Sequence, residues 1–136
     1  MEVEYRRETV RSFEEVCSRV KEVVEKNGFA VVAEIDSSGI MRSKGFNYPN
    51  LRIYDICNAK YAYTLLSVTN KFEVIIPCHL AIKKAGNKTE IAAGIPTPIT
   101  SLLNLDDESK ATVDEVIKTL KTIVDQLAET GDSKAY

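Results

Sequence analysis

Apolar residues recur every three or four positions in two long stretches of the chain and crowd or alternate in several short ones. Phe13, Val16, Cys17, Val20, Val23 and Val24 make one helical stripe. Val113, Val116, Ile117, Leu120, Ile123, Val124 and Leu127 make another, within a helix from about Asp107 to Ala128. Shorter runs read as strands: Val3 to Val10, Phe29 to Ile35, Leu51 to Ile56, and a hairpin of Phe72 to Lys84 with Lys88 to Ile95 around "AGN". The first strand carries charge on both faces, which suits a sheet edge.

Polar residues punctuate these runs. "SFEE" reads as a capping box: Ser12 accepts from the Glu15 amide while Glu15 reaches back. Asn27-Gly28 stops that helix. "DSSG" reads as a turn, and Ile40 to Asn50 as loop. Asn58 can cap a short helix that buries Ala59, Ala62, Tyr63 and Leu66. Thr97 can cap another, with Pro98 in its first position. The order of elements predicts a single α+β domain over residues 1–130, an antiparallel sheet with helices packed on one face, and a flexible tail over 131–136.

Composition narrows the partners. The chain has 136 residues, 44% hydrophobic and 28% charged, enough for one packed core. Its 18 basic and 20 acidic residues are interleaved, whereas non-specific nucleic-acid binding needs an uncompensated basic cluster. Nucleic acid is therefore not expected as a partner. Apolar runs are too short for a membrane span, and "MEVEYRRETV" has no apolar signal region, so the expected setting is cytoplasmic. Cys17, Cys57 and Cys78 are odd in number and form no CxxC, which disfavours a secreted disulfide scaffold. A single Cys57–Cys78 bridge stays open.

Candidate chemistry centres on "EVIIPCHLAI". Alternation places Val74, Ile76, Cys78, Leu80 and Ile82 on one apolar face, and Glu73, Ile75, Pro77, His79 and Lys83 on the other. Cys78 then reads as a core thiol, and His79, the only histidine, should face away from it. A bulge at Pro77 would change that. Cys57 precedes the Asn58 cap at a helix start, which favours a thiolate by about 0.3–1 kcal/mol. Burial opposes this with pKa shifts of up to ~3–5 units, so access to water decides. The count of Cys17, Cys57, Cys78 and His79 would suit zinc, but the spacing does not, and no metal site is assigned. The cofactor is left open, including a haem held by one of Cys57, Cys78 or His79. Glu34, Asp36 and Glu73 could meet across strands as paired carboxylates, though charged strand residues more often form a solvated face. No GxGxxG, P-loop, HExxH or GxSxG occurs.

These residues also carry a resemblance. The helix ending in "NGF" with "EID" after the next strand, then "LRIYDICN" and "IIPCHLAI", resemble in order and spacing the family catalogued as domain of unknown function 302, over roughly Val3 to Leu127. The resemblance implies a curved antiparallel sheet with packed helices, related to the TATA-binding-protein type, and a homodimer. It implies no reaction. The family's Cys-Asn-Pro step falls on Cys57, Asn58 and, discordantly, Ala59; its Pro-Cys step falls on Pro77 and Cys78.

Three readings of function follow. The first is a small-ligand-binding module, its pocket near Cys57, Asn58, Pro77, Cys78 and His79. The second is thiol redox or sulfur handling, with Cys57 attacking and Cys78 resolving. The third is an assembly domain using an exposed strand edge.

Overall fold

The computed structural model describes residues 2–129. The expected tail, 131–136, lies outside them. Five strands form one antiparallel sheet: β1 (Glu4–Thr9), β2 (Ala30–Ile35), β3 (Leu51–Cys57), β4 (Cys78–Ala85) and β5 (Lys88–Gly94), in the order β1-β5-β4-β3-β2. Two long helices, α1 (Phe13–Lys26) and α5 (Asp107–Ala128), pack against it. The molecule is the α+β domain that the alternation of elements predicts.

One face of the sheet makes the core with these helices. Register sets Tyr54 beside Leu80, Leu80 beside Ala93, and Ile82 beside Ile91, and all five are buried with Val16, Val20, Val24, Leu120 and Ile123. Each large aliphatic side chain taken out of water this way contributes about 1.5–3 kcal/mol. The opposite face carries the register row Arg6, Ala92, Ala81, Ile53 and Ile35.

Caps fix where the helices start. The Ser12 hydroxyl accepts from Glu15 N at 3.1 Å. The reciprocal arm of the box is replaced, because the Glu15 carboxylate pairs with Arg11. Asp106 caps α5 by accepting from Ser109 N at 2.8 Å, and that bond holds its carboxyl below the usual carboxylate range.

Four local expectations are corrected. "DSSG" opens a helix, α2 (Ser37–Ser43), because the Asp36 carboxylate accepts from Gly39 N at 3.0 Å. A side chain at Gly39 would meet that carboxylate at 2.2 Å, so glycine permits the cap. The segment expected as strand from Phe72 is a 3-10 helix (Asn70–Val74), and β4 begins only at Cys78, after a cis Ile76–Pro77 bond. Val74 is 88% exposed, whereas Phe72 is buried. The short helix α3 (Ala59–Leu66) buries Leu65 and leaves Tyr63 76% exposed, so its inward side is one position off the expected one. The last short helix, α4 (Thr97–Thr100), starts from Pro96 rather than from a Thr97 cap.

Candidate functional site

Two cavities lie on the helix-bearing face of the sheet, at the two ends of β3. The first holds three of the five residues singled out from sequence. Cys57, Asn58 and Cys78 line a slot under α3, closed by Leu65, Phe72 and Val113. Pro77 and His79 do not line it. Its volume is about 30 Å³, space for one or two water-sized groups, and its walls are nearly all apolar.

The polar atoms of this slot are already used. Asn58 donates from Nδ2 to the Gly28 carbonyl at 2.9 Å and accepts on Oδ1 from Tyr61 N at 3.0 Å. Its amide clasps the end of α1 to the start of α3. Burial pushes the Cys78 thiol up to about 11, with the nearby Cys57 a smaller cause. Burial also pushes the Cys57 thiol up. All three cysteines are free thiols. The register partner of Cys78 is Ile56, and Cys57 is the next residue along, so the two cysteines are not directly opposed. His79 lies on the other face, exposed, with Nδ1 paired to Asp55. The register irregularity in this part of the sheet lies in β2, between Val31 and Ala33, and not at Pro77.

The four residues considered for zinc do not converge. Cys17 belongs to the second cavity, and His79 to neither. No group of three His, Cys, Asp or Glu side chains suited to a metal occurs among the described residues. Glu73 stands apart from Glu34 and Asp36 on the 3-10 helix.

The second cavity was not anticipated. It is a cleft of about 480 Å³ between the first turns of α1, helix α2 and the adjoining ends of β2 and β3. Glu34, Asp36, Arg42 and Arg52 line it, with Phe13, Cys17 and Tyr54 among its walls. Its α2 wall is stapled to β3 through the buried Ser38: the hydroxyl accepts from Leu51 N at 2.9 Å and lies 3.2 Å from the Leu51 carbonyl. Arg42 donates to the Tyr48 carbonyl and to Asn50 Oδ1, which fixes it at the rim.

Arg52 is the loosely paired cation of the cleft. Its side chain is 31% exposed, and its carboxylate neighbour, Glu34, is 3.6 Å away, outside hydrogen-bond range. Its Nε is the one buried side-chain nitrogen or oxygen without a hydrogen-bond partner among the described residues. The Tyr54 side chain holds the guanidinium above its ordinary value, so it is fully charged. The Tyr54 hydroxyl itself is pushed far up, chiefly by burial, and donates to the Cys17 carbonyl at 3.5 Å. The Cys17 thiol is also pushed up by burial, against an opposing hydrogen bond from Tyr54.

A signal for this site exists in the sequence. Alternation in "LRIYDIC" sets Arg52 on the same face as Tyr54 and Ile56. That face is otherwise apolar, and a guanidinium there needs a reason.

The fold and the two cavities define a small α+β domain with an apolar thiol-lined slot and a charged cleft. The model described as domain of unknown function DUF302 matches residues 5–127, and the chain belongs to this family. It is similar in structure to the uncharacterized conserved protein DUF302 from Bacillus stearothermophilus, with a TM-score of 0.86 and 21% identity, over 95% of this chain and 100% of that one. At that identity the likeness speaks to the fold. No curated protein matches the chain. No helix among the described residues is long and apolar enough to cross a membrane.

Proposed function

We propose that this domain is a non-enzymatic binding module that takes a small polar ligand in the cleft beside Arg52. The observation that carries this reading is a charged guanidinium, partly open to water and held only by Tyr54 and a loose pairing with Glu34, that lines a cleft of about 480 Å³. Small-molecule sites are usually about 300–1,000 Å³, with a few placed polar groups on apolar walls. A hydrogen bond to a charged group contributes about 1.5–3 kcal/mol, so a ligand that supplies acceptors to this guanidinium gains affinity and orientation from it.

Thiol chemistry is less well supported. Cys57 and Cys78 both have raised pKa values, so few thiolates exist near neutral pH. The slot they line suits a ligand's small apolar end at most.

A thermal-shift screen of small metabolites against the parent chain and Arg52→Met tests the proposal. A true ligand at 100 times its Kd stabilises by about 2.7 kcal/mol. The expected result is at least one compound that raises the parent's Tm and fails to raise that of Arg52→Met. Hits that stabilise both proteins equally would overturn the cleft as the site.

A further inference from the structure

Building on that reading of the cleft, we infer that its ligand is a zwitterion of the α-amino-acid class, with its carboxylate on Arg52 and its ammonium on Glu34 and Glu14. The charges of the cleft argue against simpler ions. Two guanidiniums, Arg42 and Arg52, share it with three carboxylates, Glu14, Glu34 and Asp36.

Two of the five are committed elsewhere. Asp36 holds the start of α2, and Arg42 holds the loop at Tyr48 and Asn50. Arg52, Glu34 and Glu14 remain. Among the described residues, the Glu14 side chain makes no hydrogen bond or ion pair, and that of Glu34 pairs only loosely with Arg52. A phosphate drawn to Arg52 would meet two carboxylates. An amine drawn to those carboxylates would meet Arg52. A molecule carrying both charges satisfies each.

Spacing chooses the class. Arg52 Nη1 and Glu34 Oε2 are 3.6 Å apart. Ligand charges that engage both must therefore be neighbours, as the ammonium and carboxylate on one carbon atom are. A guanidinium receives a carboxylate through two parallel N–H donors, which orients it. The Phe13 ring, 5.6 Å from the Arg52 guanidinium carbon, and the Tyr54 ring offer apolar walls for a side chain.

The test is a backbone-amide NMR titration of the full chain with L-leucine, L-serine, isopentylamine, 4-methylpentanoate and inorganic phosphate. The amine and the acid are L-leucine without its carboxylate or without its ammonium. The expected result is that an amino acid shifts the amides of Glu14, Arg52 and Tyr54, and that both half-molecules and phosphate bind at least tenfold more weakly. Arg52→Gln should then remove the preference for L-leucine over isopentylamine, and Glu34→Gln should reduce that over 4-methylpentanoate. Equal binding of phosphate or 4-methylpentanoate would overturn the zwitterion and leave the cleft a plain anion site. Silence of all five probes, with the metabolite screen still giving Arg52-dependent hits, would overturn the ligand class alone. Silence in both experiments would remove both readings.

Discussion

At one end of β3, Ile56 and Cys78 meet Phe72 and Leu65 in a slot with almost no polar surface. At the other end, four residues and about 13 Å away along the strand, Arg52 faces Glu34 across a cleft about sixteen times larger. Both cavities share a sheet face and a strand, yet they are made of different parts. The slot is made of groups that avoid water, and its one amide is spent on clasping two helices. The cleft is made of charged groups, with Arg52 and Glu34 loosely paired at 3.6 Å. A thiol in the first setting is a small hydrophobe. An arginine in the second, partly open to water, keeps a charge that packing alone does not need.

The sharpest break between the two is mechanical. If the slot is core, truncating its largest fully buried side chain is costly. Phe72 is 1% exposed and among the largest fully buried side chains. Phe72→Ala should lower unfolding free energy by about 3–5 kcal/mol in a urea titration. A loss near 1 kcal/mol would mean that the slot closes or opens with little resistance, as a ligand site can, and the contrast with the cleft would weaken.

A smaller effect tests the thiol by pH. Cys78 is held at about 11 in the folded state, against about 8.5 in an unfolded chain. Below pH 8 both states keep the proton, and the group adds no pH dependence. Between about 9 and about 11 the unfolded chain releases its proton while the folded one retains it, so stability falls as pH rises. The fall should reach about 2 kcal/mol, somewhat less than the full shift because the side chain is not wholly covered. Cys17, Cys57 and Tyr54 shift in the same direction and remain in Cys78→Ala. The parent should therefore lose more stability than Cys78→Ala between pH 8 and 10.5. Parallel curves would show that Cys78 is not buried as described.

The comparison also shows what could be read from the sequence. The α1 and α5 stripes, the hairpin and the antiparallel order follow from periodicity, because burial repeats with the geometry of each element. The start of α2 was hidden in "DSSG", since aspartate and serine serve turns and helix caps equally well until Gly39 is seen to lie against the Asp36 carboxylate. The 3-10 helix at Phe72 was hidden because one buried aromatic among exposed neighbours fits either period. For the site, sulfur and imidazole stand out in the sequence because their reactivity is chemical. The stronger signal was positional: Arg52 in a face of Tyr54 and Ile56.

The smallest effect expected concerns the neighbours in "PCHL". Cys78 and His79 share a peptide bond but not a face: Cys78 turns toward the core, and His79 pairs with Asp55 on the far side of the sheet. A His79→Asn variant should change stability by less than about 1 kcal/mol, the usual worth of an exposed pair. It should also leave the rate of Cys78 alkylation by iodoacetamide within twofold of the parent at pH 8, because the imidazole has no path to the thiol through the strand. The measurement is peptide mapping of the alkylated chain over time. A tenfold slowing at Cys78 would mean that the imidazole draws its proton. The slot would then be a reactive site, and the division between an inert end and a binding end of β3 would be lost.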